Sequence, residues 1–270
     1  MPRTPNTRAD QQHAFMERRL TISVAGTQLE VLHLIGRSPT RPTIIFLHEG
    51  LGSVSLWRDF PQQIVAATGC SALIYSRYGY GQSEVLNESR KADYMHREAL
   101  DVLPELLEHC KIERPILLGH SDGASIALIH SGSGHPVSGL ILEAPHVFVE
   151  EISLHGVARA AQTYRTTDLP EKLARHHLDV NKTFWGWNDI WASDEFRDWN
   201  IESYLPSINC PTLLIQGEQD DYGSIAQVNS IARSVNGATE KHLLPNCGHT
   251  PHRDQTDITL KLILSFIEAP

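Results

Sequence analysis

The segment Gly119-His120-Ser121-Asp122-Gly123 sets a hydroxyl between two glycines. It follows the apolar run Pro115-Ile116-Leu117-Leu118 and precedes Ala124-Ser125-Ile126-Ala127-Leu128-Ile129. A G-x-S-x-G between a strand and a helix is a nucleophile elbow, a turn so tight that glycines are needed around it. It lifts the Ser hydroxyl above a sheet and starts a helix beneath it. Free N–H groups and a partial positive charge then lie under a developing anion. A serine alone is a poor nucleophile and needs a base within hydrogen-bond reach, itself oriented by a third group. Two later segments offer them. Gly217-Glu218-Gln219-Asp220-Asp221 puts three carboxylates at the end of the apolar run Thr212-Leu213-Leu214-Ile215-Gln216. Asn246-Cys247-Gly248-His249 places a histidine in a Gly-containing loop before the last helix. His252, three residues on, reads as a helix-start or surface histidine.

Positioning these groups requires a sheet whose strand ends converge. Leu20–Val24 and Gln28–Ile35 alternate around Ala25-Gly26-Thr27 as an antiparallel hairpin. Thr43–Leu47, Ser71–Tyr75, Ile116–Leu118, Val137–Glu143 and Thr212–Gln216 read as buried strands, and Lys241–Leu244 as a further one. Helical spacing runs through Trp57–Ala67 and Ser224–Ser234, with a closing helix over about Thr256–Ile267. Another helix begins at Asp93 and runs to about Cys110, with Pro104 placed to kink it. Strands alternating with helices predict a largely parallel sheet covered on both faces, with the active site beyond the strands' C-terminal ends. Between about His146 and Ile208 the rhythm breaks into helix-like stretches holding four of the five tryptophans. The expected organisation is a flexible arm over 1–19, a core over 20–146 and 209–270, and a helical cap over 147–208. Trp185 and Trp187 are the cap aromatics expected at an apolar pocket.

The order serine, acid, histidine, on an α/β alternation with an inserted cap, resembles the α/β-hydrolase superfamily. The likeness extends from about residue 20 to 268 and implies an α/β-hydrolase fold with a mostly parallel central sheet. Gly217-Glu218-Gln219-Asp220 is similar to the family's Gly-Glu-x-Asp, which carries the role of acid to Asp220. Gly248-His249 is similar to its Gly-His before the last helix, which carries the role of base to His249. The resemblance also implies an oxyanion hole made by two amides. One is that of Asp122, after the nucleophile. The other comes from His48-Glu49-Gly50-Leu51-Gly52-Ser53, similar to the family's His-Gly-x loop, and Gly50 is the expected donor. Tyr75-Ser76-Arg77-Tyr78-Gly79-Tyr80-Gly81-Gln82-Ser83 resembles an Asp-x-Arg-Gly-x-Gly-x-Ser loop that braces the oxyanion loop, with Ser76 in place of Asp. Glu49 stands where glycine is usual. It reads first as an ion-pair partner of Arg77 or another nearby base. Its second reading is a carboxylate at the pocket mouth, alongside that of Asp122, selecting a polar or cationic substrate group or positioning water.

These residues imply acyl transfer to water through a serine ester: hydrolysis of a carboxylic ester, lactone or thioester of a small to medium molecule. A serine at the elbow argues against dehalogenases and epoxide hydrolases of this fold, which use Asp. Alternatives are carbon–carbon bond hydrolysis of the meta-cleavage type, peptidase action, or a low-turnover receptor using the capped pocket. The neighbours Ser121-Asp122-Gly123 and Gly248-His249-Thr250 depart from the meta-cleavage pattern. Asp122 stands where proline iminopeptidases typically show Trp.

Composition sets the bounds. Net charge −9, from 23 basic and 32 acidic residues, with no basic run, argues against nucleic acid or an anionic membrane as partner. Met1–Arg19 lacks an apolar core and cleavage site, and no later stretch is long and apolar enough to span a bilayer. Cys70, Cys110, Cys210 and Cys247 are scattered, as suits reduced thiols in the cytoplasm. No metal-ligand spacing occurs among the fifteen histidines, so neither metal nor cofactor is expected. A homo-oligomer is compatible with the sequence.

Overall fold

The computed structural model describes residues 15–269. Eight strands form one sheet in the order β1-β2-β4-β3-β5-β6-β7-β8. They are β1 (Met16–Val24), β2 (Thr27–Ile35), β3 (Ile44–Leu47), β4 (Ala72–Tyr75), β5 (Ile116–His120), β6 (Gly139–Glu143), β7 (Thr212–Gly217) and β8 (Thr239–Leu244). β1/β2 and β2/β4 are antiparallel and every other pair is parallel. This is an α/β-hydrolase fold. Its helices are α1 (Phe60–Thr68), α2 (Tyr94–Arg97), α3 (Leu103–His109), α4 (Asp122–Gly132), α5 (Glu151–Thr166), α6 (Leu169–Leu173), α7 (Val180–Ala192), α8 (Ile225–Ser234), α9 (Pro251–Asp254) and α10 (Thr256–Glu268).

The central strands are apolar except at their ends because both faces are covered. On one face Ile45, Leu47, Leu73 and Leu117 pack with Ala124, Ala127 and Leu128 of α4. On the other, Ile44, Phe46, Ile74 and Leu118 pack with Trp57, Phe60 and Ile64. α4, buried from Asp122 to Ser131, is the sheet's central helix. It enters under the strand ends, where the elbow requires it.

Two expectations shift. Part of the arm expected over 1–19 is strand: Met16–Arg19 pair with Leu32–Ile35 as the first half of β1, while residues 1–14 lie outside the described residues. Burial does not mark this stretch, because Glu17, Arg18 and Arg19 are exposed on an edge strand. Backbone pairing alone makes the strand there, and edge charges discourage further strand addition. The helix expected from Asp93 to Cys110 is α2 and α3 joined by a wide π turn over Glu98–Val102. Pro104 lacks an N–H and its ring crowds the preceding turn, and widening that turn relieves the conflict without a break. Between β6 and β7 the structure is helical, comprising α5, α6, α7 and two short 3₁₀ turns, with a single bridge between Phe148 and Asn200.

Candidate active site

Ser121 sits between β5 and α4 with φ +53° and ψ −117°, a conformation that L-residues rarely adopt. Only glycine fits on either side. A Cβ on Gly119 would lie 2.4 Å from the Gly123 carbonyl oxygen, and one on Gly123 would lie 1.9 Å from that of Leu47. The strand–helix crossing is therefore close enough to hold the strained serine in place.

The structure brings Ser121, His249 and Asp220 together from three loops. The Ser121 hydroxyl donates to His249 Nε2 at 2.9 Å, and His249 Nδ1–H lies 2.9 Å from both Asp220 oxygens. Asp220 also accepts from the Tyr222 and Gly223 amides and, at 2.6 Å, from the side chain of Gln216 on β7. Burial works against the Asp220 charge, but the facing imidazole and the amide bonds outweigh it and hold its pKa below the ordinary value. Neither Asp221 nor Glu218 takes this place. Asp221 pairs at the surface with Arg159.

A cavity of about 200 Å³ opens over Ser121, lined by Glu49, Gly50, Asp122, His146, Trp187, Trp191, Tyr222 and His249 among others. Of the two tryptophans expected there, Trp187 reaches it and Trp185 does not. Trp185 lies on an outer groove with Arg165 over its ring. Helix geometry explains the difference: along α7, residues 185 and 187 point about 200° apart, whereas 187 and 191 fall on one face. The i,i+4 spacing of Trp187 and Trp191 was the usable signal in the sequence. His146 was also missed. It is buried against Trp191 and near His249, and burial pushes its pKa down to about 3, so it stays neutral.

The loop carrying Gly50 is held from two sides. Below it, Arg77 donates to the backbone oxygens of Glu49 (2.8 Å) and His48 (3.2 Å). His48 accepts from the Arg77 amide at Nε2 and donates from Nδ1 to the Glu49 oxygen, which fixes its neutral tautomer. Ser76 accepts from the Val54 amide and donates to Glu30. From the inserted helical segment, His177 donates to the Leu51 oxygen at 3.0 Å. Gly50 itself must be glycine, since a Cβ there would lie 2.1 Å from Trp187 Nε1.

Three further side chains find partners that the sequence did not name. The Glu49 carboxylate does not pair with Arg77, whose guanidinium is committed to backbone oxygens. It faces His120 Nδ1 at 3.6 Å, so the other nearby base of its first reading is His120. The Asp122 carboxylate does not acidify the mouth. It is 1% exposed, accepts from Tyr94 at 2.6 Å and lies 3.7 Å from Arg77. Of the two readings of His252, helix start holds and surface does not. The residue opens α9, where its Nδ1 and amide both meet the buried Glu143.

A sequence profile described as "Alpha/beta hydrolase family" matches residues 44–261. The chain is 22% identical over 279 residues to a proline iminopeptidase of Lactobacillus helveticus, covering 87% of this chain and 92% of that one. It is 26% identical over 197 residues to the human serine hydrolase BPHL, covering 70% and 67%. Among solved structures, the 2-hydroxy-6-oxo-6-phenylhexa-2,4-dienoate hydrolase from Rhodococcus sp. strain RHA1 superposes with a TM-score of 0.79 at 14% identity, covering 95% of this chain and all of that one. No helix among the described residues is long and apolar enough to cross a membrane. With more than half its length inside the profile, the chain belongs to the alpha/beta hydrolase family.

Proposed function

We propose that this chain is a serine hydrolase that cleaves a carboxylic ester, lactone or thioester of a small to medium molecule through an acyl-enzyme on Ser121. The observation that carries this reading is the unbroken relay from Ser121 through His249 to Asp220, each link 2.9 Å, at the floor of a cavity. In this mechanism His249 takes the Ser121 proton as Oγ attacks the carbonyl carbon. The negative oxygen is received by the amides of Asp122 and Gly50, and Asp220 compensates the imidazolium. His249 then hands its proton to the leaving group. Water enters, loses a proton to His249 and releases the acyl group, restoring Ser121. Residues 147–208 act as a cap through Trp187 and Trp191, and metal or cofactor has no step in this sequence. With its four cysteines unpaired, we place the chain in the cytoplasm.

A second reading is favoured by the relatives: proteins named proline iminopeptidase align over 87% of the chain, and the same relay cleaves an amide when the leaving amine is protonated. The experiment is turnover of p-nitrophenyl acetate and butyrate beside prolyl p-nitroanilide, with wild type and Ser121→Ala, and labelling by a serine-directed phosphonate. Ester turnover lost in Ser121→Ala supports the proposal, and faster anilide cleavage moves it to a peptidase. Carbon–carbon hydrolysis predicts turnover of a dienoate instead. Ligand binding without turnover would make the chain a receptor, and an undiminished Ser121→Ala rate would overturn the mechanism.

A further inference from the structure

We propose that Glu49 is a cation subsite of the Ser121 cavity, so that the acyl group this site prefers carries an ammonium close to its carbonyl. The inference rests on Ser121 being the nucleophile. Glu49 replaces the glycine expected beside the oxyanion donor Gly50, and its side chain is 24% exposed where it lines the cavity. Its carboxylate lies over Gly52, where a Cβ would fall 2.3 Å from Oε2, so the loop leaves room for it.

No donor among the described residues lies within 3.5 Å of this carboxylate, whose charge is met by one ion pair. The cationic partner beside it is His120 Nδ1, at 3.6 Å beyond hydrogen-bond reach. His120 already donates from Nε2 to the His249 backbone oxygen at 2.7 Å. Its Nδ1, buried and otherwise unpartnered, must then carry a proton if it is not to turn a lone pair toward Glu49. Burial opposes the charge on Glu49, but the facing His120, with Arg253 beyond it, outweighs this and holds the carboxyl pKa well below the usual carboxylate range. Arg253 spends a guanidinium N–H on the Leu56 oxygen. A charged carboxylate with unused acceptor sites therefore lines the cavity that holds Ser121.

The rest of the cavity suits the same ligand. Asp122 is turned to Tyr94 and Arg77, Asp220 lies behind His249, and His146 is neutral. No Lys or Arg among the described residues lines the cavity to receive an anion. Trp187, Trp191 and Tyr222 offer aromatic faces, which stabilise a desolvated ammonium and its methylenes. An acyl carboxylate would meet Glu49 with like charge, which sets this site against anionic substrates.

The test compares two esters matched in size, glycine p-nitrophenyl ester and p-nitrophenyl propionate, with spontaneous hydrolysis subtracted. The ratio of their kcat/KM values is expected to fall about tenfold or more from wild type to Glu49→Gln, as for loss of a charged hydrogen bond. An unchanged ratio overturns the proposal. Calorimetry on Ser121→Ala, which does not require turnover, compares butylammonium with butyrate. Butylammonium is expected to bind at least about tenfold tighter. Equal binding, or tighter butyrate, overturns the subsite even if Glu49→Gln fails to fold. If no ester is turned over by wild type, the nucleophile reading fails, while calorimetry still decides the role of Glu49.

Discussion

Removing the charge of Arg77 should destabilise the protein and loosen the oxyanion loop together, and the geometry sets the size. Arg77 and Asp122 are 2% and 1% exposed and 3.7 Å apart. At an effective dielectric of about 20 their attraction is about 4 kcal/mol. Their hydrogen bonds go elsewhere, Arg77 to the Glu49 and His48 oxygens and Asp122 to Tyr94. The pair thus compensates charge rather than sharing a proton. Arg77→Met leaves Asp122 buried without that compensation, and Asp122→Asn does the same to Arg77. Each should cost about 3–5 kcal/mol. The double variant buries neither charge, so it should cost less than the sum of the singles by at least about 2 kcal/mol. Urea unfolding of the four proteins at one pH measures the coupling. Turnover of p-nitrophenyl butyrate under the same conditions should fall about 10²-fold in Arg77→Met, as when one oxyanion donor drifts. Additivity within about 0.5 kcal/mol would refute the argument, since two facing buried charges cannot be removed independently.

Asp220→Asn keeps the shape of the acid but not its charge, so kcat should fall on the order of 10³- to 10⁴-fold with KM little changed, as steady-state kinetics would show. His146 titrates at about 3 in the fold against 6.5 when free, so the unfolded chain binds its proton first and stability falls as pH drops below about 6.5. At pH 5 this is about 2 kcal/mol relative to pH 8, and His146→Gln should lose that part of the slope in urea midpoints taken at the two pH values. Gly50→Ala forces the Trp187 indole aside and should lower kcat/KM about tenfold or more, with part of the loss restored by adding Trp187→Ala.

Much of this was legible in the sequence because it is encoded locally. The elbow is a pentapeptide with its strand and helix attached. The carboxylate and imidazole that meet Ser121 follow strands whose apolar runs announce them, and the parallel sheet follows from the alternation. What was not legible depends on where side chains point once segments meet. The direction of the Glu49 carboxylate, toward His120 rather than Arg77, is settled by Arg77 reaching backbone oxygens of a loop 28 residues upstream. Gln216, which steadies Asp220, is the last polar residue of a buried strand, and nothing in its neighbours marks it. His252 pairs with Glu143 across 109 residues of chain, a contact no local pattern reports. The first half of β1 was missed for a different reason: an edge strand made by backbone pairing need not alternate.

The long-range contacts also show why the insertion between β6 and β7 is more than a cover. Trp191, on the cavity wall, donates to the Tyr94 hydroxyl at 3.0 Å, and Tyr94 donates to Asp122 at 2.6 Å. His177, from the same insertion, holds the Leu51 oxygen one residue past Gly50. Both amides assigned to the oxyanion hole are therefore anchored, at one or two removes, to the segment that also shapes the cavity. Asp122 takes part in this with its side chain as well as its amide, which explains a buried carboxylate directly after the nucleophile. A residue without an acceptor there would leave the Tyr94 hydroxyl unpaired in the core and cut the insertion off from the elbow. The cavity wall and the loops bearing the Asp122 and Gly50 amides are thus joined by one connected set of buried contacts, so a change in the wall is expected to reach the proposed oxyanion donors.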